Sequence, residues 1–489
     1  MPTPLSLAAL DQLDAAVETP RYARAELAPG ILHIGVGNFH RAHQQLYLDR
    51  LFNLGLDHDW GLIGAGVRPT DTAMRDRLAR QDWLTTIVEL DPEGLSARVI
   101  GPMVDFLEVD GAKLVQALAD PAIRIVSLTI TEGGYYIDAM TGGFDGTHPD
   151  IMGDVATPDA PKTVFGLLIA GLKARRAAGH PPFTVMTCDN LPENGHVARQ
   201  AVEGLAALLD PDFAAWIGAN VAFPNSMVDC ITPATSDRER ALVQERFGIE
   251  DAAPVVCEPF HQWVMEDNFP LGRPALEKVG VEFVEDVAPY ELMKLRILNG
   301  GHAAIAYPSA LLGHHFVHEA MADPDIRAWL VKLQKSEAIP TLGPIEGVDY
   351  GAYLDLIVSR FANPEVGDTI PRLCLDGSNR QPKFILPTVR QALKEGRPVD
   401  GLALEVAFWC RYCAAEDEAG RAIFVDDEAA AELKERALDA KSNPTAFLEY
   451  SRVFGDLARE AAFHDCFAAH LTDIWSRGVR AVLADYLRD

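Results

Sequence analysis

Residues 30–37, GILHIGVG, form a short apolar run that ends in Gly35-Val-Gly37 and gives way to helical periodicity in HRAHQQLYLDRLFNLG at 40–55. Such a run, too short for a helix, reads as a strand buried on both faces, and the usual cover for it is the helices of βα units in a largely parallel sheet. The alternation recurs. WGLIGAGV (60–67), IRIVSLTIT (123–131) and FTVMTCDN (183–190) read as further strands, and KTVFGLLIAGLKARRAAG (162–179) and HVARQAVEGLAALL (196–209) as covering helices. After about residue 285 the strand pattern stops, and PYELMKLRILNGGHAAIAY, DEAAAELKERALDA and HDCFAAHLTDIWSRGVRAVLADYL carry helical spacing broken by Pro and Gly. A chain of 489 residues exceeds what one core supports. The expected fold is therefore α/β, with a Rossmann-like dinucleotide-binding domain over 1–285 and a mainly α-helical substrate and catalytic domain over 286–489.

Charge narrows the partners. A net charge of −28 repels phosphate backbones and anionic lipid, so neither nucleic acid nor a membrane surface is expected as a partner, whereas an uncharged small molecule is indifferent to it. The longest apolar stretch, around Val164 to Leu172, is too short to span a bilayer. The first twenty residues hold no basic region and carry Asp11 and Asp14, so the expected compartment is the cytoplasm. Seven cysteines in such a chain read as reduced thiols, and the single CxxC, Cys410 and Cys413, reads as two core thiols on a helix, because no second pair lies at zinc-ribbon spacing. The expected assembly is a monomer or small homo-oligomer.

The turn at Gly35 and Gly37 suits a dinucleotide, since small residues there let backbone N–H groups approach a pyrophosphate at a helix N-terminus. The third glycine of the usual motif is replaced by His40. Asn38, Phe39 and Arg41 in the same turn complete the expected cofactor set. Asp71, just past the second strand, is the carboxylate expected to bond the ribose 2′-hydroxyl. Arg68 nearby would instead welcome a 2′-phosphate, so NAD is expected over NADP. HxxH at His40 and His43 has no carboxylate or Cys at ligand spacing nearby, and no metal is expected there.

Lys294-Leu-Arg-Ile-Leu-Asn299-Gly-Gly-His302 is the most informative segment. On an α-helix its three polar groups fall at roughly 0°, 140° and 80°, with Arg296 at roughly 200°. A desolvated Lys can act as the base that takes a hydroxyl proton, and Asn amides can hold the resulting oxygen without accepting that proton. Asn299 suits the second task, as does Asn190 at the end of FTVMTCDN, where ligands sit in an open α/β sheet. The competing reading is a solvated helix face. Asp189 reads equally as a substrate group, a strand-end group or a cap for the next turn.

GVGNFHRAHQ (35–44), TITEGGYY (129–136), CDNLPENG (188–195), FPNSMVDCITP (223–233), VVCEPFHQWV (255–264), KLRILNGGH (294–302) and DGSNRQPKF (376–384) together resemble the polyol-specific long-chain dehydrogenases, over nearly the full chain. The resemblance implies a Rossmann-like domain, a helical domain and an active site in the cleft between them. It implies Lys294 as base, Asn190 and Asn299 as the pair holding the oxygen, and His302 as a substrate-orienting group. Asp229 and Arg372 would bind substrate hydroxyls, joined by Arg380, and Glu132 would gate a water chain to solvent. No metal is implied. The implied reaction is reversible, NAD-dependent oxidation of a sugar alcohol to a ketose, D-mannitol to D-fructose, with D-arabinitol, D-sorbitol or a fructuronate-type ketone as alternative substrates and a non-catalytic NAD sensor as a different class. Three positions depart from the family pattern: Cys230 stands where Arg is usual, Arg380 where Lys is usual, and Thr70 where an acidic residue occurs.

Overall fold

The computed structural model describes residues 2–138 and 141–488. The chain divides into two compact units, Met1–Ala288 and Pro289–Asp489.

In the first unit, β1 (Pro29–Ile34), β2 (Gly61–Ala65), β3 (Met103–Phe106), β4 (Ile125–Leu128) and β5 (Thr184–Thr187) form a five-stranded sheet in the order β3-β2-β1-β4-β5. Every pairing in it is parallel. Alternate residues feed two cores. Leu32, Ile34, Val126, Leu128 and Val185 pack with Leu118, Phe165, Leu168 and Val202 on one side, while Ile31, Leu62, Ile125 and Met186 pack with Tyr47, Leu48 and Leu51 on the other. Because β1 is central and the chain runs first to β2 and later to β4, the sheet has its topological switch at the C-terminal ends of β1 and β4, where α/β folds bind ligands.

The helix expected over 40–55 is two segments, Asn38–Ala42 and Gln44–Asn53, broken at His43, whose φ of −115° and ψ of −88° leave the helical region. Besides a two-stranded pairing of Thr3–Pro4 with Ile249–Glu250, two further sheets were not legible as strands. One joins Val255–Cys257, Thr85–Glu89, Ser96–Ile100 and Val17–Glu18, and the other joins Ser226–Asp229, Gln262–Glu266 and Glu282–Val284. Their strands run two to five residues, too short for a period of two to stand out.

Among the described residues of the second unit, the regular elements are all helical. At its centre lies Asp400–Cys413, buried from Gly401 to Cys413, mostly apolar but with Glu405 and Arg411 among its buried residues. Cys410 and Cys413 are buried free thiols on it. Glu405 is fully buried in the same helix, with Gln381 Nε2 donating to its Oε1 at 2.7 Å, and burial pushes its carboxyl up to about 8. Between the ordinary value of 4.5 and about 8 the folded chain holds a proton that the unfolded chain releases. Stability from this group is thus present below about pH 4.5 and lost as pH rises through 8. Glu405→Gln is expected to stabilise the protein at about pH 9 by on the order of 3 kcal/mol and to have little effect at about pH 4; equal denaturation midpoints for variant and parent at the higher pH would contradict this. No helix among the described residues is long and apolar enough to cross a membrane.

Candidate active site

The cofactor end is built on the turn after β1. Gly35 adopts φ +98°, and a Cβ there would stand 2.0 Å from the Thr129 carbonyl oxygen, so only glycine fits. The turn is braced from below by His33, whose Nε2–H donates to Gly35 O at 3.1 Å and whose Nδ1 meets Ser127 Oγ at 2.8 Å. Burial lowers His33 to about 3, so the ring is neutral. His40, at the third-glycine position, stacks on His33 with ring centroids 3.3 Å apart, filling space that a glycine would leave open.

A cavity of about 820 Å³ opens at the switch point, lined by Gly35, Arg68, Asp71 and Thr129–Thr131 among others. Its size and the glycine cradle fit a dinucleotide. Asp71 Oδ2 accepts the backbone N–H groups of Val67 and Arg68, both at 2.9 Å, so this carboxylate shapes the turn and presents only its other oxygen to a ribose. The other residues expected at the cofactor do not line this cavity. Gly37 caps the helix Asn38–Ala42 without lining the cavity, and Phe39 stacks on His43. Asn38 and Arg41 border a second cavity of about 410 Å³ with Arg77 and Arg240. The Arg41 guanidinium is fully buried and donates to Gly37 O, Asn38 Oδ1 and Ala253 O, so its side chain holds the turn together instead of reaching into the larger cavity.

At the ends of β4 and β5 a carboxylate organises the loops. Asp189 accepts N–H from Ile130 (2.8 Å) and Thr131 (2.9 Å) and O–H from Tyr135 (2.7 Å), which makes it a strand-end clamp. It holds Thr131 at φ +66°, a strained setting for a β-branched residue and one that marks functional loops. Exposed Glu132 follows directly and exposed Asn190 follows Asp189. Buried Asn194 donates to Asp189 O at 3.0 Å and to Ser226 O at 2.7 Å, tying the end of β5 to the strand that ends in buried Asp229. Asn194 was unassigned in the sequence, although it lies within CDNLPENG.

In the second unit, the segment read as one α-helix is interrupted. Ala288–Lys294 is α-helical, Leu295–Asn299 is a π-helix with Gly300 N donating to Leu295 O, and Gly300–Leu312 is α-helical again. A π turn holds about one residue more per turn, roughly 80° per residue, so Asn299 moves to roughly 40° and His302 to roughly −20° relative to Lys294. The three groups therefore share an arc of about 60° in place of about 140°. The distortion is held from the opposite side. Arg296 donates to Thr341 O (2.7 Å), Thr341 Oγ1 (2.6 Å) and Gln391 Oε1 (2.6 Å), and its carbonyl accepts from Gln334 Nε2 at 3.1 Å. Gln334 begins a second π segment, Gln334–Ala338.

Lys294 is buried, and His302 stacks on Phe361 at 4.2 Å. Arg372, on the short helix Ile370–Cys374, pairs with Asp368 through both Nε and Nη2. Arg380 donates to the carbonyls of Arg372 (3.2 Å) and Leu373 (3.1 Å), so it positions the helix that carries Arg372.

Residues 29–278 match the family profile described as the mannitol dehydrogenase Rossmann domain, and residues 286–475 match the mannitol dehydrogenase C-terminal domain. The chain belongs to the mannitol dehydrogenase family. Within that family it is 56% identical to mannitol 2-dehydrogenase of Cereibacter sphaeroides over 474 residues, covering 96% of this chain and 99% of the relative. Identity to the mannitol 2-dehydrogenase of Aspergillus fumigatus is 41%, with 99% of each chain covered. Among solved structures, Pseudomonas fluorescens mannitol 2-dehydrogenase in ternary complex with NAD and D-mannitol superposes with a TM-score of 0.86 at 44% identity, covering 100% of both chains. Substrate-free D-sorbitol dehydrogenase superposes at 0.92 with 35% identity, covering 98% of this chain and 100% of that one. The mannitol dehydrogenase architecture of a Rossmann-type domain followed by a helical domain is thus that of this chain.

Proposed function

We propose that the protein is an NAD-dependent polyol dehydrogenase that interconverts D-mannitol and D-fructose, with Lys294 as general base. The observation that carries the chemical part is the π turn, which gathers Lys294, Asn299 and His302 on one side of a single helical rod. The substrate choice rests on 56% identity to a mannitol 2-dehydrogenase over nearly the whole chain and on a 44% identical structure that holds NAD and D-mannitol.

Bound NAD accepts the hydride from the carbinol carbon. Lys294, neutral at the moment of reaction, takes the hydroxyl proton as the carbon–hydrogen bond breaks. Amide N–H groups of Asn299 and Asn190 donate to the oxygen as negative charge develops on it, and because an amide does not take the proton, the alkoxide character is retained until hydride has left. His302 and Arg372 orient neighbouring hydroxyls, and Asp229 accepts from another. Glu132, exposed next to strained Thr131, passes the proton from Lys294 to solvent along a water chain. All seven cysteines are unpaired, which suits a cytoplasmic enzyme.

D-Sorbitol is the second reading, favoured by the TM-score of 0.92 to a D-sorbitol dehydrogenase. A panel of D-mannitol, D-sorbitol, D-arabinitol and fructuronate, each assayed with NAD and NADP, separates them. The highest kcat/KM is expected for D-mannitol with NAD. A preference for D-sorbitol would install the second reading, and turnover of fructuronate alone or of nothing would reject both.

A further inference from the structure

Three side chains the reaction does not use converge at one edge of the first unit. Cys230 follows the strand Ser226–Asp229, Cys257 ends the strand Val255–Cys257, and His261 precedes the strand Gln262–Glu266. Their ligand atoms all lie within 4.8 Å of one another, and both cysteines are buried. We infer that Cys230, Cys257 and His261 form a binding site for one soft divalent cation of the zinc class.

Donor chemistry and geometry both support this. Two thiols and an imidazole are the donor set of three-ligand zinc sites, in which the fourth position goes to water or another small ligand. Tetrahedral zinc with the usual bond lengths puts a sulfur and a nitrogen ligand about 3.6 Å apart, and Cys257 Sγ stands 3.8 Å from His261 Nε2. The orientation of the ring is a separate observation. His261 Nδ1 lies 3.0 Å from the carbonyl oxygen of Pro259, so Nδ1–H donates there and the Nε2 lone pair faces the thiols. That outer hydrogen bond is the one metal-bound histidines make, because it fixes the tautomer that can ligate.

The surroundings favour a defined site over a loose cluster. The loops bearing the ligands are tied together: Ile231 N donates to Glu258 Oε1 at 2.5 Å and Glu258 N donates to Ile231 O at 3.0 Å. Ala42, Leu46, Ile87 and Val255 pack around the thiols and exclude water from them. On binding, each thiol releases its proton as its sulfur–metal bond forms, and no oxidant or reductant is needed. Sequence spacing gave no hint, since the ligands come from the ends of three strands.

Cobalt(II) is the probe. Fully reduced, metal-stripped protein titrated with Co²⁺ is expected to take up one equivalent, with thiolate-to-cobalt charge-transfer absorption and the intense visible bands of a tetrahedral site. Both signals are expected to disappear in Cys257→Ala and in His261→Gln and to persist in Cys410→Ser; zinc in equal amount is expected to displace the cobalt and to raise the thermal midpoint of the parent and of Cys410→Ser but not of the two ligand variants. Should one variant fail to fold, the other carries the test. Absence of a charge-transfer band in the parent, its survival in either variant, or oxidation of Cys230 and Cys257 to a disulfide without metal uptake under the same reducing conditions would overturn the proposal.

Discussion

Lys294→Ala is expected to lower kcat for polyol oxidation by roughly 10²- to 10⁴-fold, the range that a positioned general base contributes. The loss falls on kcat because the alanine variant keeps the Gly35 turn and the cavity beside it, neither of which involves residue 294. NAD affinity, read by quenching of protein fluorescence, is therefore expected to stay within a few-fold of the parent. Small primary amines restore part of the rate, since they supply the missing base in the space the side chain vacates. A variant that oxidises D-mannitol at the parental rate would remove Lys294 from the chemistry, and loss of NAD binding in step with activity would make its role structural.

Gly35→Ala is expected to act on the other substrate. A Cβ placed 2.0 Å from the Thr129 carbonyl, on a residue with φ +98°, forces the turn to move, because the obstacle is backbone and not a flexible side chain. Left-handed strain and the clash together cost on the order of 3 kcal/mol. If the turn relaxes away from the geometry a pyrophosphate needs, the same energy corresponds to about a 100-fold weaker NAD affinity. The thermal midpoint falls as well, since Gly35 sits over the central strand of the sheet. Isothermal titration with NAD checks the first effect and calorimetry the second; parental values in both would mean that the turn is far more pliant than its packing against Thr129 implies.

The fold class was legible because apolar runs of strand length separated by helical segments admit few arrangements, and Gly35-Val-Gly37 marked where the central strand ends. The smaller sheets were illegible because their strands are short and pair across long stretches of sequence. In the candidate site, the sequence offered residue types for each role but not their settings. Periodicity of 100° per residue spread Lys294, Asn299 and His302 over a wide arc, and nothing in the letters KLRILNGGH announces a π turn, which depends on Arg296, Gln334, Thr341 and Gln391 meeting behind it. Arg41 read as a cofactor group because it lies in the turn, whereas three protein acceptors hold its guanidinium. Asp189 stayed ambiguous until its partners, residues 130, 131 and 135, were in place.

A π turn amounts to one residue slipped into an otherwise regular helix, and losing a single codon between 295 and 299 would undo it. Such a deletion would leave Lys294, Asn299 and His302 facing the same way, because four residues at about 100° sweep the same angle, roughly 400°, as five at about 80°. The stretch has thus absorbed an extra residue without turning its reactive face, and a homologue one residue shorter here is expected to carry the same three groups on an unbroken α-helix, without the bracing that Arg296 supplies.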